Sequence, residues 1–87
     1  MVTCDVIATG SSGNAVLLNG NILLDCGVPF KSLETVYRKI NLVLLTHHHQ
    51  DHFNRPTVRR LGADRPLLRF GCCRWMVLPL VEAGVSV

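Results

Sequence analysis

The chain has 87 residues and a formal net charge of +3; 48% of its residues are hydrophobic and only 17% are charged. A chain of this length forms one small domain at most. No segment reaches the roughly 18 to 20 uninterrupted apolar residues that a membrane span needs, and the first residues lack the basic segment of a signal peptide. We therefore expect a cytoplasmic protein with one domain over residues 1–87 and no membrane partner.

The first third of the chain predicts a meander of antiparallel strands. Residues 2–8 alternate loosely between apolar and polar, and two apolar runs at 15–18 and 22–25 flank the sequence Asn19-Gly20-Asn21. Asn-Gly between two apolar runs is a strong hairpin signal, because a type I′ turn needs a positive φ at both central residues. The composition of residues 9–14, rich in glycine and serine, predicts a loop before this hairpin.

The rest of the chain predicts helices that alternate with strands. Apolar residues at helical spacing predict a helix over 32–39, and the continuous apolar run 42–45 predicts a strand buried on both faces. Asn54 is a suitable N-cap for a helix that has Pro56 in its first turn and ends before Gly62. The remaining predicted elements are a strand over 67–70, a helix over 72–83 that contains Pro79, and the start of a strand at 85–87. This order predicts an α/β fold.

The segment most informative about function is an H-x-H-x-D-H pattern directly after the predicted strand 42–45. Its members are His47, His49, Asp51 and His52. Side chains two residues apart on an extended chain point the same way, so His47 and His49 can converge on one metal ion, and a tight turn can direct Asp51 and His52 to a second. Imidazole and carboxylate ligands suit Zn²⁺, with Mn²⁺ or iron as alternatives. Two such ions activate a water for hydrolysis, so Asp51 is the candidate catalytic residue as well as a ligand.

A hydrolytic metal site competes with three alternative origins of the histidines. A remnant affinity tag would be terminal and longer than three histidines. A structural zinc site would normally use paired cysteines, and the four cysteines of the chain have no such spacing. A chance cluster in a polar loop has no reason to follow a buried strand. The pattern and its position together favour the hydrolytic site.

Three segments of the chain together resemble the metallo-β-lactamase superfamily. Residues 46–52 are similar to its H-x-H-x-D-H loop, residues 22–27 to its "LLIDxG" strand end, and residues 9–15 to the SSGN loop of a bacterial and phage branch that includes proposed nucleases. The resemblance implies an αββα sandwich, a mixed sheet with flanking helices, two divalent metal ions per complete site and a hydrolytic reaction. It also implies that Asp25 supports the metal loop through hydrogen bonds. It assigns Ser11, Ser12 and Asn14 to a loop near the substrate.

The chain departs from the family in its length and in its downstream ligands. Family members are longer and supply a third histidine, a bridging aspartate and a last histidine after the metal loop. No histidine follows His52 here, and Asp64 lies too close to the loop to be the bridging residue. We therefore expect the N-terminal half of the domain, inactive by itself. Its sheet would have an uncovered apolar face with Leu17, Leu23, Leu42 and Leu44 or their neighbours, through which chains self-associate.

The leading hypothesis for function is a hydrolase of phosphodiester or nucleic-acid substrates. It rests on the SSGN resemblance and, weakly, on six arginines between Asn54 and Trp75, which either bind a polyanion or are ordinary solvated surface. One alternative is a hydrolase of small esters or thioesters. Another, from a different class, is a non-catalytic metal-binding remnant, for example of phage origin.

Overall fold

Among the described residues, five strands and two α-helices form a small mixed α/β domain, which is the fold class that the sequence predicts. The computed structural model describes residues 2–10, 13–46, 52–85 and 87. The sheet has the order β1-β2-β3-β4-β5, antiparallel between β1, β2 and β3 and parallel between β3, β4 and β5. The strands are β1 (Cys4–Ala8), β2 (Ala15–Leu18), β3 (Ile22–Leu24), β4 (Leu42–Leu45) and β5 (Arg69–Cys72). The helices are α1 (Arg55–Asp64) and α2 (Val77–Glu82), with 3-10 turns at Phe30–Leu33, Tyr37–Lys39 and Arg74–Met76.

The hairpin between β2 and β3 forms at the predicted turn. Asn19 and Gly20 have φ values of 54° and 74°, as a type I′ turn requires. The turn sets the register in which Leu17 faces Leu23 across the strands. Both leucines therefore point to the same face of the sheet.

Helix α1 begins where the sequence predicts and continues further. The Asn54 side chain accepts a hydrogen bond of 3.1 Å from the Thr57 N–H and caps the helix. The helix passes through Gly62 and ends at Asp64, so the predicted end was wrong. A Cβ at Gly62 would lie 2.6 Å from Val85 Cγ1. The small size of Gly62 therefore leaves room for the Val85 side chain, and the residue does not mark the end of the helix.

One face of the sheet carries the hydrophobic core. The alternating residues of β2 to β5 that point to this face are buried in one cluster with residues of both α-helices and of the first and third 3-10 turns. The sheet contributes Leu17, Leu23, Val43, Leu45 and Phe70, and the helical segments contribute Leu33, Val58, Leu61, Met76 and Leu80.

The opposite face of the sheet is apolar and only partly covered. Val6 pairs with Val16, and Leu44 lies in register with Leu24, so these residues share that face. Val6 is 60% exposed and Leu44 is 37% exposed. The open sheet face, as we call it, comprises Val6, Val16, Leu18, Ile22, Leu24, Leu42 and Leu44.

Two expectations about burial are corrected by this arrangement. β4 is buried on one face only, because Val43 and Leu45 point into the core while Leu44 is exposed. Leu17 and Leu23 belong to the covered face, whereas Leu42 and Leu44 belong to the open one.

Several predicted elements have different bounds. The predicted helix 32–39 is two 3-10 turns, and the predicted strand 67–70 is β5, which ends at Cys72. The predicted helix 72–83 is a 3-10 turn followed by α2, in which Pro79 is the third residue and replaces an N–H that has no partner inside the helix. Val85 and Val87 lie in no strand.

Among the described residues, no helix is long and apolar enough to cross a membrane.

Candidate metal site

The candidate site lies where two neighbouring parallel strands end. Asp25 directly follows β3, and Thr46 directly follows β4. The Asp25 N–H donates to the Leu44 carbonyl at 2.8 Å, which fixes the end of β3 against β4. Because parallel strands end at the same edge of a sheet, residues that follow them meet there.

The chain returns to this edge after the metal loop and is held there by its backbone. The Cys26 N–H donates to the His52 carbonyl at 2.9 Å, and the Asn54 N–H donates to the Cys26 carbonyl at 2.6 Å. These bonds form an isolated parallel bridge between Cys26 and Phe53. His52 is therefore anchored directly beside Asp25.

The Asp25 carboxylate joins the two sides of the metal loop. Its Oδ1 accepts hydrogen bonds from the Thr46 N–H at 2.8 Å and from the Thr46 hydroxyl at 2.9 Å. The same hydroxyl lies 2.9 Å from Oδ2, which is 2.8 Å from His52 Nδ1. The residue before the loop and the residue at its end thus share one carboxylate, and the support of a metal loop by Asp25 stays a prediction.

Asp25 has an unusual environment and backbone conformation for an acidic residue. It is only 7% exposed, and its φ of 63° lies in the left-handed region that costs an L-residue roughly 1 kcal/mol. Buried carboxylates need hydrogen-bond donors, and Thr46 and His52 provide them. Strained residues of this kind concentrate at functional sites, where the surrounding contacts hold them.

The orientation of His52 fits a metal ligand. In the tautomer that donates its Nδ1–H to Asp25, Nε2 is the ring atom that would bind a metal. A carboxylate on the other ring nitrogen is the usual support of a metal-binding histidine, because it fixes the tautomer and the ring orientation. The donor chemistry at His52 therefore suits a divalent metal such as Zn²⁺.

The other predicted ligands fall outside the described part of the chain. His47, His49 and Asp51 belong to residues 47–51, and the structure does not test their roles. Within residues 2–10, 13–46, 52–85 and 87, no group of three or more metal-binding side chains was found. The predicted metal set thus remains a prediction for all four of its members.

Of the three residues predicted for the substrate loop, only Asn14 is described, since Ser11 and Ser12 lie outside the described residues. The Asn14 side chain donates to the Gly10 carbonyl at 2.8 Å and accepts from the Gly10 N–H at 3.1 Å, which closes the base of this loop. The Asn14 carbonyl accepts from the Gly27 N–H at 2.9 Å. Asn14 therefore has a structural role beside the Asp25 segment, and its contact with substrate stays a prediction.

Close packing also fixes Gly13 against the segment that follows Asp25. A Cβ at Gly13 would lie 2.6 Å from the Gly27 carbonyl oxygen, so a side chain cannot be placed there without a shift. Gly27 is two residues from Asp25, and its N–H bonds to Asn14. Gly13 and Asn14 thus pack directly on the segment that follows Asp25.

Two threonines of the site were not recognised from the sequence. Thr46 gives Asp25 both its backbone N–H and its hydroxyl, and Thr57 donates its buried hydroxyl to the Val28 carbonyl at 2.6 Å. The Thr57 bond ties α1 to the segment that follows Asp25. The only sequence signal for Thr46 is its place between a buried strand and the first histidine.

Cys26 next to Asp25 is a structural thiol. It is buried, and burial raises the pKa of its thiol from 9.0 to about 12, with the Asp25 charge adding to the rise. Between pH 9 and 12 the unfolded chain loses this proton while the folded chain keeps it, so the free energy of unfolding falls as pH rises. We expect the urea midpoint of the wild-type chain to fall across this window.

The matched variants for this pH dependence are Cys26→Ala and Cys4→Ala, because Cys4 is exposed. Cys26→Ala should flatten the fall of the midpoint between pH 9 and 12, while Cys4→Ala should keep the wild-type slope. Equal slopes in all three proteins would show that Cys26 does not control it.

Comparison of the chain with protein-family models, with curated proteins and with solved structures found no match. The resemblance to metallo-β-lactamases therefore rests on the residues of the three segments.

Proposed function

We propose that the chain carries half of the metal centre of a cytoplasmic metallo-β-lactamase-fold hydrolase that acts on phosphodiester or nucleic-acid substrates. The observation that carries the proposal is the Asp25 carboxylate, which holds Thr46 on one side of the H-x-H-x-D-H segment and His52 on the other. A solvated histidine cluster would not need a buried acceptor at this place, because water satisfies its donors.

The residues of this chain would have two kinds of role at this centre, as metal ligands and as support for those ligands. His47 and His49 would hold one divalent ion, and Asp51 and His52 a second; bound metal would supply an activated water and neutralise negative charge on the scissile group. Asp25 orients the His52 ring and fixes where the loop starts and ends. Such support holds ligands within the small tolerances that hydrolysis needs.

The second candidate is a non-catalytic metal-binding remnant. It is supported by one feature of the sequence, because residues 53–87 contain no histidine that could serve as the third protein ligand of a catalytic zinc ion. Sequencing the coding region beyond the codon for Val87 separates the two candidates. An in-frame continuation with a histidine and an aspartate supports the hydrolase, whereas an immediate stop codon supports the remnant.

Zinc content tests the metal centre in the 87-residue chain. We expect weak, substoichiometric Zn²⁺ in the wild-type protein after dialysis, because neither ion has three protein ligands. His49→Ala should remove most of it, and the matched control His48→Ala should change it little, since position 48 is not a predicted ligand. The measurement is elemental analysis of the dialysed proteins. Two tightly bound ions per chain, or equal losses in both variants, would contradict the assignment.

The same preparations should not hydrolyse bis(p-nitrophenyl) phosphate above background, because four ligands do not fix and activate the water sufficiently. Metal-dependent turnover that disappears in Asp51→Ala would show that these residues suffice for a complete site.

A further inference from the structure

The arginines that cluster in the sequence have different surroundings in the structure. Arg65 is structural, because its Nη1 donates to the carbonyls of Tyr37 and Arg38 at 3.0 and 3.1 Å and also to the carbonyl of Ile40. Arg69 is an exposed residue of β5. Neither belongs to the group on α1.

Three of the arginines share one groove on the surface of α1. Arg55, Arg59 and Arg60 lie in the first six residues of this helix and line an open groove of about 410 Å³ together with Pro56 and Ala63. All three arginines are exposed. We call this feature the arginine groove.

The arginine groove concentrates positive charge near the N-terminus of α1, where the helix dipole disfavours it. Arg55 and Arg59 are four residues apart, so their like charges are neighbours on the helix surface. The first turn has no acidic residue, although the positive end of the helix dipole favours one there. This arrangement does not serve the stability of α1, and it produces a field that attracts an anion.

The carboxylates around the groove neutralise it incompletely. Arg60 pairs with Asp64 at 3.0 Å and lies over the Phe30 ring at 4.5 Å from its centroid, so its position is already fixed. Arg55 and Glu82 are separated by 3.8 Å, with both side chains about half exposed, and such surface pairs are weak. No ion pair of Arg59 occurs among the described residues.

The groove is attached to the candidate metal site. α1 begins three residues after His52, and the Asn54 N–H that precedes it bonds to Cys26, the residue next to Asp25. A polymer that placed one phosphodiester at the metal loop would therefore have neighbouring phosphates close to the start of α1.

We infer that the arginine groove binds the sugar-phosphate backbone of a nucleic acid, with Arg55 and Arg59 contacting phosphates and Arg60 supporting the edge of the groove. Arginine suits this partner because its guanidinium matches phosphate oxygens and stays charged. The inference rests on the proposed function for its substrate class. Contacts of this kind give affinity without base sequence and weaken as salt rises.

The test is binding of a fluorescein-labelled 20-nucleotide single strand to the 87-residue chain, measured by fluorescence anisotropy in EDTA from 50 to 200 mM salt. The double variant Arg55→Gln/Arg59→Gln should lose at least about tenfold in affinity at low salt, and its log–log salt slope should be shallower by about 1.4, from two lost phosphate contacts. Arg59→Lys, which keeps the charge, should retain most of the binding.

The matched control is Arg38→Gln/Arg69→Gln, which removes the same charge at exposed positions away from α1. It should change affinity less than about threefold. Equal losses in the two double variants would overturn the inference, because net charge alone would account for them. Binding to vesicles of 30% phosphatidylserine that depends on Arg55 and Arg59, without binding to the oligonucleotide, would also overturn it. EDTA makes this result independent of the metal centre, so its failure is distinct from a failure of the zinc measurements.

Discussion

Asp25→Ala is expected to destabilise the fold by about 2 to 4 kcal/mol and to lower metal affinity at least tenfold. The Thr46 N–H, the Thr46 hydroxyl and the His52 Nδ1–H lose their acceptor, and a donor left without one costs about 1–3 kcal/mol when buried, less where water reaches it. Alanine also tolerates the left-handed φ of 63° less well than aspartate. Loss of the support beneath a ligand typically lowers metal affinity 10- to 100-fold.

Asp25→Asn separates the two effects, because asparagine keeps the shape and accepts the left-handed conformation. It should destabilise the fold less than alanine does while still impairing zinc binding. Urea unfolding and elemental analysis are the measurements, and Asp5→Asn at an exposed position of β1 is the control. If Asp25→Asn and Asp5→Asn had the same zinc content and stability as the wild type, Asp25 would have no supporting role.

The open sheet face is expected to make the isolated chain self-associate. A contiguous apolar surface on one side of a sheet is typical of a contact surface or an aggregation site. The outer edges of β1 and β5 also present backbone groups for pairing with another chain. We expect light scattering after gel filtration to give a mass well above the 9.6 kDa of one chain.

Val6→Lys/Leu44→Lys should shift this chain to a monomer and weaken association at least about 100-fold, because two charges would be buried in the contact. Leu67→Lys is the control, since Leu67 is 92% exposed and lies in the turn between α1 and β5, off the open sheet face. A monomeric wild-type chain at about 100 µM with a sharp thermal transition would contradict the prediction. If Leu67→Lys weakened association equally, association would depend on the overall hydrophobicity of the surface and not on the open sheet face.

Local signals account for the elements that were predicted correctly. The Asn19-Gly20 turn specifies its own conformation, and the Asn54 side chain caps α1 through a contact three residues away. Both are decided within a few neighbouring residues, so the sequence suffices.

The elements that were predicted incorrectly depend on distant contacts. Residues 32–39 have helical spacing, but the carbonyls of Tyr37, Arg38 and Ile40 bond to the guanidinium of Arg65 at the end of α1. This interaction is consistent with 3-10 turns in place of a continuous helix. The burial of β4 on one face likewise depends on where the helices pack, which its continuous apolar run does not reveal.

The sequence singled out Asp25 and His52, whose roles at a metal site stay predictions, but it did not single out Thr46. Asp25 and His52 belong to segments of distinctive composition, whereas Thr46 became recognisable only when its amide and hydroxyl were found on the Asp25 carboxylate. A threonine before a histidine has many uses. Thr46 contacts Asp25 because β3 and β4 end side by side in the folded chain.

The contact between Gly13 and Gly27 limits which sequences can keep this arrangement. Because the space of a Cβ at position 13 is taken by the Gly27 carbonyl oxygen, the position admits glycine alone. A side chain at position 13 would push the backbone of Gly27 away and move the segment that follows Asp25, so the close approach of two glycines sets the distance between this part of the chain and the candidate site.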